Sequence, residues 1–142
     1  MSGYQFIHIE AYSRVPSRKN KRQSSKGMLK ELMRSPEACP HVSFIKQPRS
    51  VYGEDPWKVL KFAENQADID NLNRKFRKDG LMLVAGVASY PARTDEISFD
   101  NKDLQKWLNL TIDFLSKKYG DQLKSVIVHS DEPFWHCHFI LV

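Results

Sequence analysis

The sequence predicts an α+β protein, an antiparallel sheet with helices packed on one face in a two-layer sandwich. Three observations carry that class. Segments read in the order strand, helix, helices, strand, helix, strand, strand. The last two strands, residues 123–130 and 134–142, are split only by Asp131-Glu132-Pro133, as in an antiparallel hairpin. Residues 81–90, LMLVAGVASY, form the near-continuous apolar run of a central strand covered on both faces.

Residues 4–11 alternate as a first strand, with Tyr4, Phe6, His8 and Glu10 on one face and Gln5, Ile7, Ile9 and Ala11 on the other. Ser24 and Ser25 are caps for a short helix reaching about Arg34, where Pro36 and Pro40 stop it. Residues 36–53 read as irregular, proline-containing loop. Asp55-Pro56 is an N-cap and first-turn pair for one or two helices reaching Lys78, with Val59, Leu60, Phe62, Ala63, Ile69, Leu72 and Phe76 on an intermittent apolar face. Asp79-Gly80 ends that region, and Pro91 closes the following strand. Asp100 caps a helix over residues 101–119, in which Leu104, Trp107, Leu108, Thr111 and Leu115 follow helical spacing, and Gly120 takes the C-terminal position.

The chain has 142 residues, 41% of them hydrophobic, which suits one domain over residues 1–142 with its own core. Cys39 and Cys137 stand far apart with no C-x-x-C spacing, so neither a disulfide scaffold nor a cysteine zinc module is indicated. No apolar run has the length of a membrane span, and the first residues lack the apolar core of a signal peptide. A reducing cytoplasm is the expected location. The net charge of +5 is concentrated in residues 14–30, where Arg14, Arg18, Lys19, Lys21, Arg22, Lys26 and Lys30 occur without one acidic side chain. The rest of the chain is slightly negative. A basic arm of this kind contacts polyanions, nucleic acid phosphates or an anionic surface, unless it is simply a solvated loop.

The chemistry is concentrated in VIVHSDEPFWHCHFILV, which holds His129, Glu132, His136 and His138. Alternation puts His136 and His138 on one side of a strand. A turn at residues 131–134 sets His129 opposite His136, roughly 5 Å between β-carbons, with His138 on the diagonal at about 7 to 8 Å. A single histidine near a strand is ordinarily a hydrogen-bonded core residue. Three on one face converge on a metal, and three neutral nitrogens leave positions open for water or substrate, as catalytic centres do. Glu132 completes the shell, orients a ligand or carries a proton. Imidazoles accept manganese, zinc, cobalt, nickel or copper, and a phosphate substrate favours manganese or magnesium.

HSDEPFWHCHF resembles the metal motif of the HUH endonucleases, two histidines flanking one residue, here Cys137. With the upstream histidine and glutamate it is similar to the MobV (Mob/Pre) relaxases, which nick plasmid DNA in mobilisation and conjugation. Residues 73–80, NRKFRKDG, resemble that family's N-R-x-x-R-K-D-A segment, and the run from Phe99 through Trp107, Phe114 and Tyr119-Gly120 resembles its helix before the metal motif. The resemblance covers about residues 70–142 and is loose before them. It implies an HUH-relaxase-like sandwich and a divalent-metal-dependent single-strand DNA nickase. Such an enzyme forms a covalent 5′-phosphoryl link at an origin of transfer and leaves a free 3′-hydroxyl. It further implies single-stranded or hairpin DNA and relaxosome accessory proteins as partners, and DNA-backbone contacts from the arm and from Arg74, Arg77 and Lys78. Family members continue beyond the metal strand, so the resemblance leaves the domain open to truncation after Val142.

The chain departs from the family at the nucleophile. Where some members carry H-x-x-R, this sequence has Glu31-Leu32-Met33-Arg34. Attack by Glu31 would give a mixed anhydride that hydrolyses readily. Tyr12, His41 and Tyr52 remain as candidates, with Tyr12 favoured because the first strand is expected near the metal strand. The alternatives are a rolling-circle replication initiator, a non-catalytic DNA-binding relative, and a metal-dependent phosphodiester hydrolase in which water attacks.

Overall fold

The computed structural model describes residues 5–18, 22–69, 77 and 80–142. Within them the chain runs β1 Ile7–Ser13, α1 Ser25–Leu32, β2 Arg49–Gly53, α2 Pro56–Ile69, β3 Leu81–Arg93, α3 Lys102–Tyr119, β4 Leu123–His129 and β5 Phe134–Leu141. The five strands pair antiparallel in the order β1-β3-β5-β4-β2, so the class expected from the sequence is the class observed.

Alternation along β4 and β5 divides the core in two. Val126, Val128, Trp135, Cys137 and Phe139 turn to one face, where Leu104, Leu108 and Leu115 of α3 cover them. Ile127 and Ile140, with Leu83 of β3, turn to the other and meet Met28, Leu29 and Leu32 of α1 and Val59, Leu60 and Ala63 of α2. One helical layer, α3, thus covers the face away from the histidines, while α1 and α2 pack on the opposite one, beside them. Cys39 and Cys137 are buried and free. Among the described residues no helix is long and apolar enough to cross a membrane.

Gly86 shows how tightly the sheet packs on the α3 side. It pairs with Phe139, and a β-carbon there would lie 2.1 Å from the Phe139 ring. Only glycine lets that fully buried ring lie across β3.

Several boundaries differ from the sequence expectation, each for a local reason. Residues 49–53, read as loop, form the edge strand β2 on β4. The first strand sits later, at residues 7–13, and Tyr4 lies outside the described residues. β3 continues through Pro91 to Arg93 because its register with β5 shifts between Ser89 and Arg93, where the missing proline N–H is not needed. Asn101, not Asp100, caps α3, its carboxamide oxygen accepting from the Asp103 and Leu104 N–H groups. Asp55 and Ser24 cap α2 and α1 as expected. The second half of the α2 region, including Leu72 and Phe76, lies outside the described residues.

Candidate metal centre and its cavity

The β4–β5 hairpin places His129 directly opposite His136, and His138 opposite Ile127. Ring centroids are 5.5 Å apart for His129 and His136, 4.5 Å for His129 and His138, and 5.0 Å for His136 and His138. One nitrogen from each ring lies within 4.8 Å of the others.

Hydrogen bonds fix which nitrogens are free. His129 Nε2–H donates to the Leu32 carbonyl at 2.7 Å, so Nδ1 keeps its lone pair and accepts from Arg34 Nη2 at 3.0 Å. His136 Nδ1–H donates to the Phe134 carbonyl at 2.9 Å, which turns the Nε2 lone pair toward Glu132 Oε1 at 3.2 Å. Two acceptors so close require a proton or a cation between them. His138 Nε2 is buried and has no hydrogen-bond partner among the described residues. Burial drops the His129 pKa to about 4, with Arg34 adding to the effect, and holds that of His138 well below the usual value. Both rings are therefore neutral ligands at neutral pH. Each donor set is what a divalent cation takes, and the backbone carbonyls behind His129 and His136 orient the rings as ligand supports do.

Arg34 joins this centre from α1 and is 3% exposed. Its Nη2 donates to Asp131 Oδ1 at 2.9 Å and to Glu132 Oε1 at 2.5 Å. The residue has φ 60° and ends α1, with its own N–H bonded to the Glu31 carbonyl and the Ser35 N–H to that of Lys30. That position after a helix is normally glycine, because a β-carbon in the left-handed region costs about 1 kcal/mol. The buried contacts of the guanidinium hold it there. One cation against two carboxylates leaves the centre with a net negative charge, which favours a metal ion. A proton held between His136 Nε2 and the carboxylate, together with Arg34, keeps the Glu132 carboxyl well below the usual range.

The histidines open into a cavity of about 540 Å³ that is also lined by Tyr12, Glu31, His41 and Arg34. It gathers most of the catalytic candidates. The Tyr12 hydroxyl donates to Glu10 Oε2 at 3.3 Å, and burial beside that carboxylate raises its pKa to about 12. His41 Nε2 lies 3.9 Å from Glu31 Oε1, and Gln23 donates to Glu31 Oε2 at 3.0 Å. Tyr52 is not among the lining residues; it sits on β2 opposite Val126. The strand order also alters the expectation for Tyr12, since β3 separates β1 from β5. His8 is the β1 residue in register with His138, through Val87, whereas Tyr12 pairs further along with Leu83.

Two arginines of the basic arm are engaged within the chain. Arg14 donates to Asp68 Oδ1 and to the Glu64 carbonyl, both at 3.1 Å, tying the arm to α2. Arg22 donates to the Ala11 carbonyl at 2.6 Å, and paired hydrogen bonds between Ser17 and Arg22 close the loop. Arg18, Lys26 and Arg77 are exposed. Lys19, Lys21, Arg74 and Lys78 lie outside the described residues. Sequence reasoning missed Arg34 and Asp131 as members of the centre; the Arg of Glu31-Leu32-Met33-Arg34 was the available signal.

No family profile matches the chain. No curated protein matches it either. Solved structures of the MobM relaxase domain (MOBV; Mob_Pre) do resemble it. The Mn-bound complex with a 22-nucleotide pMV158 oriT DNA at pH 5.5 is 16% identical, with TM-score 0.64 over 99% of this chain and 70% of that one. The corresponding complex at pH 4.6 is 15% identical, with TM-score 0.65 over the same shares. The complex with 26-nucleotide oriT DNA is 14% identical, with TM-score 0.59 over 99% of this chain and 69% of that one. What this likeness carries is the fold: the chain folds as those relaxase domains do.

Proposed function

We propose that this chain is a divalent-metal-dependent single-strand DNA nickase and strand transferase of the relaxase kind, acting at an origin of transfer. The observation that carries the reading is the convergence of three imidazole lone pairs, one of them buried without a partner among the described residues, at the head of an open cavity. The MobM structures of like fold hold manganese and oriT DNA, which makes manganese and single-stranded DNA the ligands of choice here. His129, His136 and His138 would hold the ion, and Glu132 supports His136. A bound divalent cation supplies charge neutralisation on the non-bridging oxygens of a scissile phosphate. The protein's own part is to position the strand and provide the attacking atom.

His41 is the favoured nucleophile. It stands in the cavity beside Glu31, which can orient its ring, whereas Tyr12 is held protonated and lies out of register with the histidines. Attack of a neutral His41 nitrogen on phosphorus forms a P–N bond and breaks the P–O3′ bond. The 3′-oxygen takes up a proton from solvent and leaves as a hydroxyl. The link keeps the phosphodiester energy for rejoining. The basic arm, through Arg18, Lys19 and Lys21, and the Arg74, Arg77 and Lys78 segment would hold the DNA backbone. Accessory proteins of a relaxosome belong to the same reading.

A second reading is a DNA-binding relative without strand transfer, favoured by Glu31 where H-x-x-R would place histidine. Manganese-dependent cleavage of single-stranded DNA by the wild-type chain, its His138→Ala variant and the His41→Ala and Tyr12→Phe variants separates the two. Loss of cleavage in His138→Ala and His41→Ala, with Tyr12→Phe active, supports the proposal. Binding without cleavage in the wild type, across a pool that includes the cognate origin, supports the second reading.

A further inference from the structure

Beside the three histidines the cavity holds two aromatic rings that neither metal binding nor nucleophilic attack uses, Phe6 and Phe134. Phe6 lies just before β1, where its carbonyl accepts from the Ser89 N–H at 2.9 Å. Ser89 in turn pairs with His136. Phe6 and His136 therefore share one row across the sheet, two strand spacings or about 10 Å apart. Phe134 stands two residues before His136 on the same face of β5, with the Arg93 guanidinium 5.6 Å from its ring centroid. Arg93 itself is forked onto Asp95 at 3.1 and 3.3 Å, so its charge is shared.

Phe6 lines this concave site and is 51% exposed, so its ring is open to a ligand in the cavity. We infer that Phe6 and Phe134 form a stacking subsite for bases of a single DNA strand whose phosphate lies at the histidine centre. The inference rests on the DNA-strand reading above and adds the groups that seat the strand. A nucleobase offers a flat π-face that covers an exposed phenyl ring while its polar edge stays in water, and the neighbouring cation site accepts the phosphate of the same strand. Hydrogen-bond readout is not needed for such contacts, so the subsite tolerates any base.

The test is fluorescence titration of the full chain, without metal, with a thymidine homopolymer carrying scattered 2-aminopurines. The same strand with abasic positions serves as reference. Stacking quenches the probe on binding. Phe6→Ala is expected to weaken binding roughly 5- to 100-fold and relieve the quench, while Phe6→Tyr retains both. The slope of affinity against salt should stay unchanged in Phe6→Ala, because no phosphate contact is lost. Wild-type affinity and quenching in the Phe6→Ala/Phe134→Ala double variant would overturn the inference. Equal affinity for the abasic strand would overturn it too. The readout needs no cleavage. Phe6-dependent quenching in a chain that never nicks DNA upholds the subsite and removes the strand-transfer reading; nicking with Phe6-independent binding does the reverse.

Discussion

Arg34 Nη2 lies 3.0 Å from His129 Nδ1, so the side chain that ends α1 reaches the lone pair that His129 offers to a metal. The two residues are 95 positions apart in sequence. A left-handed arginine after a helix is kept only where its side chain repays the backbone strain.

Replacing Arg34 by glycine relieves the strain, worth about 1 kcal/mol, but takes the guanidinium away from the buried Asp131 carboxylate and the half-buried Glu132. Removing one partner of a buried pair typically costs about 3 to 5 kcal/mol. Arg34→Gly should therefore lower the stability of the metal-free chain by about 2 to 4 kcal/mol in urea unfolding. Manganese affinity should rise in the same variant, because a cation then neutralises both carboxylates. Unchanged metal affinity would mean that the guanidinium does not compete for the site.

His138 tests the metal assignment without confusing it with folding. Its buried Nε2 has no partner among the described residues, so His138→Leu removes an unsatisfied polar atom and is expected to leave metal-free stability equal or higher. Manganese at one hundred times its dissociation constant should stabilise the wild type by about 2.7 kcal/mol. That gain should vanish in His138→Leu. A persistent thermal shift in the variant would place the ion elsewhere.

The depressed His129 pKa makes a pH dependence with a definite sign. Unfolded, the ring takes up its proton near 6.5, and folded only near 4, so between these values the unfolded state binds more protons. Stability of the metal-free chain is complete above about pH 6.5 and should fall by about 3 kcal/mol as pH drops toward 4. Denaturant midpoints across that window measure it, and His129→Asn should flatten the slope. An equally steep slope in the variant would assign the effect to other groups.

Among the described residues of the basic arm, Arg14 and Arg22 are anchored within the chain and Arg18 is exposed. Replacing Arg18, Lys19 and Lys21 by glutamine should reduce the dependence of DNA affinity on salt by about one unit for each lost phosphate contact. Arg14→Gln should instead act on stability, because its guanidinium holds Asp68 and the Glu64 carbonyl. An unaltered salt slope after all three changes would mean that the arm does not touch DNA.

Gly86→Ala is expected to destabilise by about 1 to 3 kcal/mol through collision with the Phe139 ring. Phe139→Leu in the same chain should recover part of that loss, since the two residues are paired across β3 and β5. Purely additive costs would indicate that the ring does not lie over the glycine.

The hairpin carrying the histidines was legible because period-two alternation fixes which side chains share a face and a short turn fixes the register. That was enough to set His129 opposite His136. Strand order is not local, so the position of β3 between β1 and β5, and with it the displacement of Tyr12 from the histidine rows, could not be read. β2 was hidden because five residues bounded by Pro48 and Gly53 carry too little alternation. Arg34 was hidden for another reason: helix-end signals favour glycine at its position, and the carboxylates that hold the arginine there come from the far end of the chain.

Strand transfer is most directly tested by intact mass of the protein after incubation with manganese and single-stranded DNA that includes the cognate origin. The expected result is a covalent protein–DNA adduct that maps to His41 and is absent in His138→Ala. Cleavage with no adduct, which assigns the attack to water, would contradict the account.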